Sequence, residues 1–183
     1  MTEPSFFGYG SLVHLATHAY RDPRPATLPG WRRIWRTTTL RRAAFLSVEP
    51  DFDCRIDGIV AQVPDADWTA LDQREAAYTR VDISETIGVP ECAVYRVSTT
   101  VLAKPGGEAP ILRSYLDTVA QGFFDIYGEE GLARFFATTT GWGPIDDDRA
   151  EPVYSRVQPV ADNVTERIDG HLAALDGAAQ GPG

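Results

Sequence analysis

Hydrophobic and polar positions alternate over several short stretches in the first hundred residues, which is the pattern of β-strands with one buried face. Glycine- and proline-rich turns separate these stretches, and residues 21–30, with three prolines and a glycine, are expected to be irregular. A turn is also expected at residues 50–55. The predicted strands cover residues 5–9, 31–48 (two strands), 56–63, 80–87 and 91–102.

Helical spacing replaces this alternation in the second half of the chain. The clearest helix is predicted at residues 111–127, where one apolar stripe follows the i, i+3, i+4 pattern: Leu112, Tyr115, Leu116, Val119 and Phe123. A shorter helix at residues 129–137 follows Gly128, and a last strand is predicted at 153–160. Strands that come first and long helices that come afterwards favour an α+β domain. We expect one domain over residues 1–176 and a disordered tail over residues 177–183.

A glutamate on the apolar face of a further helix is the first candidate for chemistry. Placed on a helix, Trp68, Leu71, Glu75 and Tyr78 fall within a stripe about 80° wide. No basic residue stands three or four positions from Glu75, so its carboxylate has no partner of the usual helical kind. Burial disfavours the charged form and raises the pKa of such a carboxyl, as general acid–base catalysis requires. An ion pair with a distant arginine is the alternative interpretation.

Composition restricts the partners of the chain. It has 17 basic and 26 acidic residues and a net charge of −9, which argues against nucleic acid or an anionic membrane as a partner. No apolar segment approaches the length that spans a bilayer, and the cytoplasm is the expected compartment. Cys54 and Cys92 lie outside any cysteine–histidine cluster, and His14 and His18 lack the intervening glutamate of a zinc motif. We therefore predict no metal site.

The glycine-containing loop after the first strand is the second candidate. In Gly8-Tyr9-Gly10-Ser11-Leu12, Val13 stands where a dinucleotide-binding fingerprint needs its third glycine. The loop instead offers free backbone amides that can hold an anion. FGYGSL at residues 7–12, with the helix sequence LDQREAAY at residues 71–78, resembles the γ-glutamylcyclotransferase-like superfamily. The resemblance covers about the first 100 residues and leaves the role of residues 111–156 open.

The resemblance implies a small mixed β-barrel flanked by helices and a reaction without metal or cofactor. It assigns the acid–base role to Glu75 and the binding of the γ-glutamyl head to Tyr9, Gly10, Ser11 and Leu12. Tyr78 is expected to orient the carboxylate or to line the pocket, with a purely structural role in the core as the alternative. A small γ-glutamyl compound would be converted into 5-oxoproline and an amine or amino acid.

Two other functions stay open at this stage. One is a module that binds a γ-glutamyl or carboxylate metabolite without turning it over. The other is removal of a γ-glutamyl protecting group in a biosynthetic pathway. The sequence indicates neither the leaving group nor an oligomeric state.

Overall fold

Two long, paired antiparallel strands make up much of the sheet in the computed structural model, which describes residues 3–104 and 107–179. The strands are β1 (Ser5–Gly8), β2 (Arg24–Arg36), β3 (Phe45–Gln62), β4 (Tyr78–Asp82), β5 (Cys92–Val97), β6 (Ile111–Leu112), β7 (Thr139–Thr140) and β8 (Ile145–Asp146). The helices are α1 (Thr69–Arg74), α2 (Ser84–Ile87), α3 (Arg113–Ala137) and α4 (Asp162–Ala179). Short 3-10 turns occupy Ser11–Val13, Leu15–Thr17, Pro64–Ala66 and Thr99–Val101.

The main sheet has the order β4-β5-β1-β3-β2-β7 and mixes parallel with antiparallel pairs. It bends so that the start of β3 meets the end of β5, where the Val97 amide donates to the Ser47 hydroxyl at 2.9 Å. The strand pairs of the described residues do not join β4 to β7. Leu116, Val119 and Phe123 of α3 are fully buried in the core. The predicted α+β class, a mixed sheet flanked by helices, is confirmed.

Strand β2 begins earlier than its prolines indicated. Residues 24–30 were expected to be irregular, yet they pair with β3 from Arg24 to Pro29. Strand β7 pairs only with Arg33 and Ile34, so residues 24–30 of β2 have a free edge. Proline is tolerated at such an edge because no neighbouring strand needs the N–H that proline lacks. The turn expected at residues 50–55 is instead a bulge within β3, since Pro29 pairs with Arg55 and Trp31 with Pro50.

Helix α1 is shorter than the apolar pattern predicted. It ends at Arg74, Glu75 is its C-cap, and Tyr78 is already the first residue of β4, paired with Val97. The prediction that Tyr78 lies one helical turn beyond Glu75 is therefore wrong. Pairing of residues 78–82 with β5 overrides the helical pattern of the local sequence.

Gly128 interrupts α3 as predicted, since its φ of 67° and ψ of −163° are not helical and divide the element into two helical parts at a kink. The C-terminal half differs from the prediction at two places. Residues 153–160 form an irregular segment rather than a strand. Helix α4 was not predicted, and it includes residues 177–179 of the expected disordered tail, while residues 180–183 lie outside the described part. None of the described helices is long and apolar enough to cross a membrane.

Candidate active site

The loop after β1 closes into a 3-10 turn that begins at Gly10. The Val13 amide donates to the Gly10 carbonyl at 2.9 Å, and the Ser11 carbonyl accepts from the Thr17 hydroxyl at 2.8 Å. Among the described backbone carbonyls, none accepts from the amides of Ser11 or Leu12, as expected for the first residues of such a turn. The loop thus presents backbone donors beside the end of β1.

A buried arginine fixes this loop to the core. Arg33 of β2 is fully buried, and its Nε donates to the Tyr9 carbonyl at 2.9 Å. Its other nitrogens donate to the Thr138 hydroxyl at 2.9 Å and to the Asp57 carbonyl, and the guanidinium lies 4.6 Å from the Phe123 ring centroid. Burial lowers the pKa of Arg33 to about 9, so the group remains charged at neutral pH. The backbone at Tyr9 is therefore held from inside the fold.

Gly10 lies against the Tyr115 side chain of α3. A Cβ atom at Gly10 would lie 2.8 Å from the Tyr115 hydroxyl oxygen and 3.4 Å from Cδ2 of Leu46. Hydrogen bonds with the backbone and side chain of Ser11 lower the pKa of Tyr115, although burial has the larger effect and raises it. Glycine is needed here because the loop backbone and α3 approach each other closely.

The Gly10→Ala variant is expected to keep its fold and to lose activity about 10–100-fold, because the new methyl group displaces the loop from Tyr115. The double variant Gly10→Ala, Tyr115→Phe removes the oxygen that the methyl group meets. The Gly10→Ala change should therefore lower the activity less when it is made in Tyr115→Phe than when it is made in the wild type. Steady-state rates of the four proteins form the test, and strictly additive effects would contradict the contact.

Glu75 lies mostly buried at the end of α1. Its side chain is 17% exposed, and its Oε1 lies 3.4 Å from Nε of Arg74, whose side chain is 11% exposed. Arg74 is held in turn by a 3.4 Å hydrogen bond from Nη1 to the Thr17 carbonyl. Burial raises the pKa of Glu75, while the charges of Arg74 and Arg156 act to lower it. The expected burial of Glu75 is therefore observed.

The prediction that Glu75 has no local ion partner is, however, wrong. The expectation considered positions three and four residues away, as on a continuous helix. Glu75 leaves the helical conformation with φ −101° and ψ 32°, and its neighbour Arg74 then reaches its carboxylate. None of the arginines of β2 forms this ion pair.

Four tyrosines surround this region. The Tyr9 hydroxyl donates to the Tyr95 carbonyl at 2.5 Å, and that of Tyr78 donates to the Leu46 carbonyl at 2.9 Å. Tyr115 meets Tyr154 edge-on, with ring centroids 5.0 Å apart. Burial raises the pKa of Tyr9, Tyr78 and Tyr115, and the nearby charge of Glu75 raises all three further. The phenols therefore stay protonated at neutral pH and can act as hydrogen-bond donors.

The predicted residues stand in this arrangement as follows. Tyr115 lies close to both motifs. It contacts Gly10 and Ser11, and the charge of Glu75 adds to the burial that raises its pKa. The Leu12 carbonyl accepts from Nε2 of His18 at 2.8 Å, which leaves the Leu12 amide as its free backbone group. A surface cavity lined by Trp68, Arg80 and Asp82, among others, includes none of the predicted site residues.

Sequence reasoning missed four residues near Glu75: Arg74, Tyr115, Tyr154 and Arg156. Tyr115 was found only as part of the buried stripe of the predicted helix. Tyr154 and Arg156 were placed on a predicted strand, and no local pattern indicates that their segment crosses over the site.

Comparisons with known proteins identify the family of the chain and the proteins that share its fold. Residues 6–113 match the model of the family described as Gamma-glutamyl cyclotransferase, AIG2-like, which confirms the resemblance inferred from the two motifs. The fold is similar to that of YkqA from Bacillus subtilis, with TM-score 0.53 and 18% identity over 77% of this chain and 57% of YkqA. The sequence matches no curated protein.

Two further solved structures cover both chains more fully. The human protein loc79017, described as uncharacterized, has TM-score 0.53 and 15% identity over 92% of this chain and 99% of that protein. A protein described as Gamma-glutamyl cyclotransferase has TM-score 0.54 and 13% identity over the same shares. At these identities the similarity concerns the fold.

Proposed function

The chain belongs to the γ-glutamyl cyclotransferase, AIG2-like, family, and we propose from this that it is an enzyme that releases 5-oxoproline and an amine or amino acid from a small γ-glutamyl compound. The observation that carries the proposal is the buried carboxyl of Glu75, whose pKa is raised and which lies near Tyr115. Tyr115 also lies against the loop after β1, where the Leu12 amide donates to no described backbone carbonyl. We also propose the cytoplasm as its compartment, since Cys54 and Cys92 are both free thiols.

The proposed reaction closes a ring within the substrate. The α-nitrogen of the glutamyl group attacks its own γ-carbonyl carbon, and the bond from that carbon to the leaving nitrogen breaks. Both reacting groups belong to one molecule, so the main contribution of the enzyme is positioning. An α-amine with a pKa near ~8 is mostly protonated at neutral pH and must lose a proton before it attacks. Glu75 accepts this proton and returns it to the leaving nitrogen as the bond to that nitrogen breaks. The attacking nitrogen gives up a second proton once the new carbon–nitrogen bond has formed, and this proton passes through Glu75 to the released amine, which leaves as an ammonium ion.

The loop supplies the second part of the proposed site. Backbone amides at residues 9–12 hold the α-carboxylate of the substrate or the oxyanion that develops on the γ-carbonyl oxygen. The amides keep their direction because Arg33 holds the Tyr9 carbonyl from the core. Burial and the nearby charge of Glu75 raise the pKa of Tyr78 and Tyr115, so both phenols stay protonated. The Tyr115 hydroxyl is available to orient the substrate, whereas the Tyr78 hydroxyl already donates to the Leu46 carbonyl.

Incubation of the purified protein with a panel of γ-glutamyl compounds tests the proposal. The panel contains γ-glutamyl dipeptides, glutathione and γ-glutamyl amines, and the measured product is 5-oxoproline. Release from at least one of them supports the enzyme. Calorimetric binding without product would instead support the non-catalytic binding module. Turnover restricted to a γ-glutamyl-protected biosynthetic intermediate would support the deprotecting activity.

The ion pair with Arg74 leads to a prediction about pH. Glu75 must be ionised to accept a proton, so activity is lost as the pH falls through its pKa. Arg74 lowers that pKa, so Arg74→Gln should raise it and move the acidic limb of the kcat/KM profile to higher pH. Arg80→Gln is the matched control, because Arg80 pairs with Asp72 at 3.2 Å and has no contact with Glu75. An unchanged limb in Arg74→Gln would contradict this role.

A further inference from the structure

Thr17 lies between the loop after β1 and the acidic residue of the site. It ends the second 3-10 turn, Leu15–Thr17, and its side chain is buried. Its hydroxyl donates to the Ser11 carbonyl at 2.8 Å, and its own carbonyl accepts from Nη1 of Arg74 at 3.4 Å. Arg74 in turn pairs with Glu75, with Nε to Oε1 at 3.4 Å. One buried residue is thereby linked by hydrogen bonds to both parts of the proposed site.

The bond to the Ser11 carbonyl fixes the orientation of a peptide group. That carbonyl and the Leu12 N–H belong to the same planar, trans peptide, so the two groups point in opposite directions. The Ser11 carbonyl accepts from the Thr17 hydroxyl and, at 3.2 Å, from the His14 amide. It therefore faces the turn, and the Leu12 N–H points away from the turn.

Further contacts hold the turn itself in place. Nε2 of His18, the residue after the turn, lies 2.8 Å from the Leu12 carbonyl, and the Thr17 amide donates to the His14 carbonyl at 2.9 Å. The turn is also pressed against α3, since a Cβ atom at Gly122 would lie 2.6 Å from the His14 nitrogen. The Thr17 hydroxyl is therefore presented to the loop from a rigid support.

We infer that Thr17 is a positioning residue of the site, whose hydroxyl sets the direction in which the Leu12 amide meets the substrate. The inference rests on the proposed cyclotransferase function, in which this amide is one of the loop donors, and adds to it a residue outside both sequence motifs. It holds for either group that the loop is proposed to bind, the α-carboxylate or the developing oxyanion, because both need a donor of fixed direction. Thr17 acts through the Leu12 amide.

Two substitutions at position 17 separate the hydroxyl from the packing of the side chain. Thr17→Val keeps the shape but removes the donor, and kcat/KM for the best substrate of the panel is expected to fall about 10-fold. Outright removal of an oxyanion donor costs about 10²–10³-fold, and the loss here is smaller because the His14 amide still holds the Ser11 carbonyl. Thr17→Ser keeps the donor but loses a buried methyl group, so it should unfold at a lower temperature and yet keep kcat/KM within about 2-fold.

The pH profile and a matched control show whether the effect is confined to the loop. Thr17→Val leaves the carbonyl that holds Arg74 unchanged, so the acidic limb of kcat/KM should stay at the wild-type pH. Thr139→Val is the control, because Thr139 is also buried and its hydroxyl also donates to a backbone carbonyl, that of Phe135, at 2.6 Å. It should lose stability and keep wild-type rates.

Three outcomes would overturn the inference while the enzyme itself stands. They are a wild-type kcat/KM in Thr17→Val, an acidic limb that shifts in this variant, and losses of activity that simply follow the unfolding temperatures of the three variants. If the wild-type protein releases 5-oxoproline from no compound of the panel, the proposed function fails first and the inference fails with it.

Discussion

Replacement of Glu75 by glutamine is expected to reduce 5-oxoproline release about 10²–10⁴-fold, the usual contribution of a general acid–base group. Glutamine has nearly the same size and fits the same space, but it cannot take a proton from the α-amine. The loss should appear mainly in kcat, because the loop amides and tyrosines that are proposed to bind the substrate are unchanged. Steady-state kinetics with the best substrate of the panel measure it.

The comparison needs a folded variant and a matched control. Thermal unfolding of Glu75→Gln should remain cooperative, since the side chain keeps its volume and can still accept from Arg74. Glu85→Gln changes an exposed glutamate of α2 in the same way and should have wild-type rates. Turnover of Glu75→Gln at the wild-type rate would remove Glu75 from the mechanism.

The candidate site could be predicted from the sequence where its signals are local. The glycine loop and the acid at position 75 each stand in a short, recognisable sequence, and the apolar stripe around Leu71 correctly indicated that Glu75 is buried. Its ion pair could not be predicted in the same way. Arg74 reaches Glu75 only because the helix ends between them, and the end of α1 is decided by the pairing of β4 with β5.

The fold class could be predicted because strand and helix periodicities dominate different halves of the chain. Proline and glycine differed as signals of where elements end. Prolines in β2 suggested an irregular segment, yet the strand continues along a free sheet edge, whereas Gly128 does interrupt the helical geometry of α3. The path of the irregular segment at residues 147–161 could not be predicted for a different reason. Its order comes from side chains of α3 about 40 residues away, Ser114, Thr118 and Gln121, and no pattern within residues 153–161 encodes it.

The Arg33→Met variant is expected to lose about 2–4 kcal/mol of unfolding free energy, because it leaves buried carbonyl groups without donors. The Tyr9 and Asp57 carbonyls both lose their hydrogen bond, and each unsatisfied buried group costs about 1–3 kcal/mol. The variant no longer buries a charged group, and this offsets part of the loss. That burial is costly in the wild type, since it lowers the pKa of Arg33 to about 9. The Thr138 hydroxyl loses less, because it still donates to the Arg134 carbonyl at 2.7 Å.

Chemical denaturation of Arg33→Met, Arg33→Lys and Arg32→Met separates charge from geometry. Arg32 is the adjacent residue of β2, is partly exposed and pairs with Glu49 at 2.6 Å, so its loss should change the denaturation midpoint little. Lysine keeps the charge of Arg33 but cannot reach three acceptors that lie in different directions, so Arg33→Lys should resemble Arg33→Met more than the wild type. The Tyr9 carbonyl is the link between this residue and the loop. The activity of Arg33→Met should therefore fall even at temperatures well below its unfolding temperature. If Arg33→Met has wild-type stability and wild-type rates, the loop keeps its shape without the hydrogen bond from Arg33.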